Sequence, residues 1–137
     1  MEEELAKKIC DMIEKQSTMS LKKMTEPYQR GTKKDFKQGL YFLYDSNEDL
    51  IYIGMVGNYK STSLRDRLVG HGSGAHKVLH NSWYNEIEKG RFLKFETLDE
   101  LELTIIERVA IRYKKPKYND KYFDNEALEL ISKKIKS

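Results

Sequence analysis

Residues 39–45 and 50–56 read GLYFLYD and LIYIGMV, two short apolar runs separated by Ser46-Asn47-Glu48-Asp49. Aromatic and β-branched residues favour a pleated strand, and turn-forming residues between two such runs mark a hairpin. Nothing else in the chain constrains its fold as tightly, since such a hairpin must bury at least one face. Side chains alternate along a strand, so Gly39, Tyr41 and Leu43 share one side, as do Leu50, Tyr52 and Gly54. A four-residue turn pairs Asp45 with Leu50, hence Leu43 with Tyr52 and Tyr41 with Gly54. In that register Tyr41 and Tyr52 are diagonal neighbours on one face, about 7–8 Å apart at the backbone. The glycine opposite Tyr41 leaves open space over the sheet, where a ligand can come close. Taken alone, the tyrosines and glycines are also ordinary hairpin material.

Helical spacing frames this hairpin. Leu5, Ile9, Met12 and Ile13 predict an amphipathic helix over residues 2–16. The stretch 17–39 is basic, contains Pro27 and Gly31, and reads as a linker or arm with room for one short helix. Ser63 can cap a helix running to Gly70, after which Gly70, Gly72 and Gly74 break the chain. A helix over 76–88, a strand over 91–98 and a long helix over 100–114 follow. Asp99 caps the long helix, which must stop before Pro116. A helix over 125–134 closes the chain. One domain is expected: an N-terminal helix and basic arm (1–37), a central unit (38–122) and a C-terminal helix packed on it (123–137).

Charge distribution suggests a partner. The net charge is only +3, yet Lys22, Lys23, Arg30, Lys33, Lys34 and Lys37 stand against Glu26 and Asp35. A second cluster, Lys114, Lys115, Lys117 and Lys121, is interleaved with Tyr113, Tyr118 and Tyr122. Basic side chains neutralise phosphates and aromatic rings stack on bases; the alternative is a solvated lysine-rich surface. No run approaches a membrane span, and Met1-Glu2-Glu3-Glu4 is acidic where a secretory leader would be basic. The single cysteine, Cys10, excludes an internal disulfide and reads as a small hydrophobe, so a reducing cytoplasm is expected.

Two helices carry candidate chemistry. Leu64 and Leu68 define a buried stripe, and Arg67 and His71 fall together beside it, with Asp66 pointing away and Arg65 on the other flank. A guanidinium holds two phosphate oxygens with its planar fork and stays charged. On the long helix Leu103, Ile105, Ile106, Val109, Ala110 and Tyr113 form an apolar arc, and Glu107 projects between Leu103 and Ile111. A carboxylate in that setting must be paired or bind a cation. Magnesium suits it, because that ion takes one or two carboxylates with waters and phosphate oxygens. A salt bridge is the alternative for Glu107. Glu102, in the first turn, is accounted for by the helix dipole. The chain has no nucleophile elbow, phosphate-binding glycine loop or dinucleotide fingerprint.

These segments together resemble the GIY-YIG endonuclease family. The matching blocks are Gly39-Leu40-Tyr41, Tyr52-Ile53-Gly54, the run from Ser63 to His71, Glu107, and Lys115-Pro116-Lys117-Tyr118-Asn119, in the family's order over about residues 38–120. The resemblance implies an α/β fold of the α+β type, with a small three-stranded, mainly antiparallel sheet flanked by helices. It implies Mg²⁺- or Mn²⁺-dependent hydrolysis of nucleic-acid phosphodiesters, with DNA the expected substrate and 5′-phosphate and 3′-hydroxyl ends. Glu107 would anchor the metal, and Tyr52, or Tyr41 through a water, would act as general base or position the attacking water. Arg67 would stabilise the developing phosphate charge. His71 would support the tyrosines or the phosphate, as in the restriction-enzyme-like branch, and Asn119 would brace the site.

Leucine replaces isoleucine in the first triplet, and the 55–62 loop, with Tyr59 and Lys60, is longer than in compact members. No separate recognition domain is expected, so substrate contacts would fall to Lys33 and Lys34 of the arm, Lys60, Arg65 and Lys117. Cutting both strands with one small site favours a homodimer or sequential nicking. A non-catalytic nucleic-acid-binding domain of the same fold is the main alternative, and a partner-binding protein using helix 2–16 a third.

Overall fold

A computed structural model describes residues 1–26, 36–57, 63–69, 78–119 and 133–135. Its elements are α1 (Glu2–Glu14), β1 (Met19–Ser20), α2 (Leu21–Met24), β2 (Gly39–Tyr44), β3 (Leu50–Val56), α3 (Leu64–Leu68), β4 (Lys89–Lys94) and α4 (Glu100–Lys114). Two single-turn 3₁₀ helices, Val78–His80 and Tyr84–Glu86, precede β4. The architecture is α+β, as expected. The sheet has four strands rather than three, in the order β1-β4-β2-β3, and every pairing is antiparallel. The extra strand comes from the stretch read as a basic arm: Met19 pairs with Gly90 and Ser20 with Lys89. Two residues are too short to leave a period-two pattern, so their pairing is invisible in sequence.

The hairpin register is the expected one in its interior, with Leu43 opposite Tyr52 and Tyr41 opposite Gly54. At the turn it is not. Tyr44, rather than Asp45, pairs with Leu50, and a register shift follows Leu43. Asp45 instead organises the turn, its Oδ1 accepting from the amides of Asn47 (2.9 Å) and Asp49 (3.0 Å). The bulge re-aims one residue. Ile51 and Tyr52 consequently both join the cluster on the Tyr41 side of the sheet.

Each sheet face has its own core. On one, Leu40, Phe42, Tyr44 and Ile53 pack with Ile9, Cys10 and Ile13 of α1 and Leu103, Ile106, Ala110 and Ile111 of α4. The other holds Tyr41, Leu43, Ile51, Val56 and Phe92 with Met24, Leu64, Leu68, Val78, Trp83 and Ile87. Fully burying each such aliphatic side chain is worth about 1.5–3 kcal/mol. Gly90 permits the close approach of α2: a Cβ there would lie 2.6 Å from Met24 Sδ.

Helix boundaries follow their caps. Both α3 and α4 open with a capping box, Ser63 with Asp66 and Asp99 with Glu102. Asp66 and Glu102 therefore have structural duties beyond those assigned from helix geometry. The end of α4 is an αL residue, Lys115 (φ 49°), followed by Pro116. The buried stripes differ from the expected ones in detail. On α1 the small Ala6 and Cys10 go inside, while Leu5 and Met12 are exposed. On α4 Ile105 and Tyr113 are exposed and Ile111 is buried. The helix expected over 76–88 is corrected to the two 3₁₀ turns and the bend between them. Asn81 explains the break: its amide donates to the Val78 carbonyl (3.3 Å), and such local bonds compete with helix propagation. The helix expected over 125–134 lies largely outside the described residues, as do 120–132 as a whole.

Candidate active site

The Tyr41 side of the sheet gathers most of the described candidates. Tyr41 and Tyr52 lie with ring centroids 6.2 Å apart, as their diagonal register requires. Tyr41 is buried and Tyr52 half-buried. Gly54 does not leave the open space over the sheet that the sequence suggests. A Cβ at that position would fall 2.2 Å from Tyr41 Cζ and 2.3 Å from its hydroxyl. The glycine is needed because the phenol of Tyr41 lies flat across it, which brings the hydroxyl to the β3 side of the hairpin.

Arg67 reaches this face through α3. Leu64 and Leu68 are fully buried in the Tyr41-side cluster, and Ser63 fixes where the helix starts. Arg67, one residue before Leu68, is half-buried, and its Nε is buried without a hydrogen-bond partner among the described residues. A buried, unsatisfied guanidinium nitrogen costs about 1–3 kcal/mol or more, and an anionic ligand would satisfy it. Arg65 is half-buried on the same helix.

Asn119 is fully buried. Its Oδ1 accepts from the Ile53 amide (2.9 Å) and its Nδ2 donates to the Ile53 carbonyl (3.1 Å). A side-chain amide thus serves as the neighbouring strand would, on the outer side of β3. One residue earlier, the Tyr118 amide donates to the Ile51 carbonyl (2.9 Å). Tyr52 stands between the two gripped residues. The expected bracing role of Asn119 is therefore exerted through the backbone of β3.

Glu107 is half-buried on α4, between the fully buried Leu103 and Ile111. The helix lies on the opposite layer from the tyrosines and runs counter to β3. Glu100 meets Gly57, its Oε1 3.2 Å from a Cβ built there, and Thr104 Oγ1 lies 3.4 Å from Met55 Sδ. From Glu100 to Glu107 is about 10 Å of helix, or about three strand residues. Glu107 thus lies further along α4, on the layer opposite the paired phenols of Tyr41 and Tyr52. Its hard oxygen donors suit Mg²⁺ or Mn²⁺. Among the described residues no group of three His, Cys, Asp or Glu could hold a metal, so water and phosphate oxygens would have to complete the shell.

Sequence reasoning missed Trp83 and the stacking of Tyr118 upon it. Trp83 lies 5.0 Å from the Tyr52 ring and stacks on Tyr118 at 4.9 Å with an interplanar angle of 2°. The Tyr118 hydroxyl donates to Glu86, and Lys117 Nζ lies 3.8 Å from the same carboxylate and 5.1 Å from the Tyr118 ring. Tyr118 and Glu86 hold the Lys117 ammonium above its usual range. The one available signal was that Trp83 is the chain's single tryptophan, but its stacking partners are distant in sequence. His71, Lys33, Lys34 and Lys60 lie outside the described residues.

No protein-family model matches the chain, and no curated protein matches it either. Among the described residues, no helix is long and apolar enough to cross a membrane.

Proposed function

We propose that the chain is a divalent-metal-dependent endonuclease that hydrolyses phosphodiester bonds, with DNA as substrate, leaving 5′-phosphate and 3′-hydroxyl ends. The observation that carries this reading is the buried Nε of Arg67, unsatisfied among the described residues, on the face that holds the paired phenols of Tyr41 and Tyr52. A phosphodiester answers that demand, because the guanidinium can pair two of its oxygens. The charge that builds on those oxygens during attack by water is then met by a donor already in place.

The phenols have the complementary task. A tyrosine oxygen can accept a hydrogen bond from the attacking water, orient it, and take up or relay its proton. Tyr52 is the better placed to do so, since it is less buried than Tyr41. Glu107 would hold the cation, which supplies Lewis-acid polarisation of the phosphate when bound. Asn119 keeps Ile53, and with it the neighbouring Tyr52, at a fixed height above the sheet.

The test is cleavage of supercoiled plasmid and labelled oligonucleotides with Mg²⁺ or Mn²⁺ by the wild type and Glu107→Ala. Cleavage by the wild type that disappears in the variant, with nucleic-acid binding retained, is the expected result. If neither protein cuts duplex, single-stranded or branched DNA, or RNA, while both bind, the chain is a binding domain of this fold. Mass analysis of the ends checks the product assignment.

A further inference from the structure

The rings of Tyr41, Tyr52, Trp83 and Tyr118 form one continuous row, with successive centroids 6.2, 5.0 and 4.9 Å apart. The row is anchored at its Tyr118 end. At the anchored end the Tyr118 hydroxyl donates to Glu86, whose carboxylate also lies beside Lys117. Glu86 and Trp83 belong to the same turn, the amide of Glu86 donating to the Trp83 carbonyl (2.9 Å). The ring stack and the turn therefore hold each other.

Tyr52 is clamped twice by this arrangement. Tyr118 and Asn119 grip the backbone of its neighbours, Ile51 and Ile53. Trp83, stacked on that same Tyr118, packs against its ring. Trp83 is 8% exposed, so its ring is a fixed wall and not a surface shelf for a base. With Tyr41 on one side and Trp83 on the other, the Tyr52 phenol is fixed by its two ring neighbours. Ring pairs at 4.5–7 Å are directional contacts, each worth about 0.5–1.5 kcal/mol beyond their area.

We infer that Trp83 is a positioning residue that sets the orientation of the Tyr52 phenol, acting through the ring row anchored at Glu86. Its catalytic consequence rests on the nuclease reading given above. Misplacing a group that orients water costs rate while leaving the phosphate and cation contacts intact.

Two measurements test it, one independent of activity. With ring-labelled tyrosine, the Tyr52 resonances are identified by their loss in Tyr52→Phe. In the wild type they show strong ring-current shifts and slow ring flipping. In Trp83→Leu the shifts collapse and flipping becomes fast, while Trp83→Phe and Tyr118→Phe fall between. Unchanged Tyr52 resonances in a folded Trp83→Leu overturn the inference. If Trp83→Leu does not fold, Trp83→Phe and Glu86→Gln carry the same comparison through the row.

Kinetics then separate positioning from stability. In Trp83→Leu, kcat per folded molecule is expected to fall about ten- to a hundredfold, with KM within about twofold. The pH profile of kcat changes shape, and Trp83→Phe recovers most of the rate. In a Tyr52→Phe background, Trp83→Leu is expected to cost nothing further. Additive losses in that background, or an unchanged pH profile, assign Trp83 to packing alone. If the resonances respond as expected but the wild type cuts no nucleic acid, the positioning role stands and the nuclease reading falls.

Discussion

Asn119→Ala should be the most informative single substitution outside the reacting groups. The wild-type side chain is fully buried and satisfies both the amide and the carbonyl of Ile53, at 2.9 and 3.1 Å. Alanine leaves both groups buried on the outer side of β3 with no partner. Each unsatisfied buried group costs about 1–3 kcal/mol, so the loss should total about 2–6 kcal/mol. That is a large share of the roughly 5–15 kcal/mol that keeps a domain folded. Urea denaturation followed by far-ultraviolet circular dichroism measures it as a drop in midpoint at constant slope. Hydrogen exchange adds a local readout: the Ile53 amide should lose protection beyond what global destabilisation explains. Asn119→Asp should be no milder, since it keeps an acceptor for the amide but sets a second oxygen against the Ile53 carbonyl. A stability change below about 0.5 kcal/mol in Asn119→Ala would refute the reasoning, because that is the range of an ordinary surface substitution.

Three further outcomes are expected. Gly54→Ala would put a Cβ 2.2 Å from Tyr41 Cζ. It should destabilise by about 1–3 kcal/mol, as other overpacked sites do, and displace the Tyr41 phenol, both visible in melting temperature and ring resonances. Arg67→Lys keeps a positive charge but not the planar fork, so cleavage in the plasmid assay should fall by about a hundred- to a thousandfold. Burial pushes the Cys10 thiol up from 9.0 to about 11. The folded chain thus keeps this proton where the unfolded chain releases it, and stability present below pH 9 should be lost as pH rises towards 11. Relative to Cys10→Ala, the wild type should lose about 2–3 kcal/mol across that window in urea titrations; parallel curves would contradict this.

Legibility in the sequence tracked the range of the forces involved. The hairpin, its inner register and the limits of α4 were readable, because alternation, turn residues and a capping Asp99 all act within a few residues. The diagonal placement of Tyr41 and Tyr52 followed from that register alone. The two-residue β1 was not readable, since Met19 and Ser20 have strand geometry only because Gly90 and Lys89 offer them partners. Nor was the use of Gly54, whose neighbour's ring fills the space a sequence pattern leaves blank. Trp83 and Tyr118 meet only once the fold has formed. The bulge after Leu43 was hidden for a different reason: Asp45 leaves the strand pairing and its carboxylate joins the turn, which counting residues does not reveal.

The segment Tyr118–Asn119 has a consequence for assembly. Three outward-facing groups of β3, the Ile51 carbonyl and both polar groups of Ile53, are already taken by this segment. An exposed strand edge is the usual template on which a second chain adds its own strand. At Ile51 and Ile53 of β3 that template is already occupied. A second copy adding a strand along this stretch of β3 would first have to displace Tyr118 and Asn119.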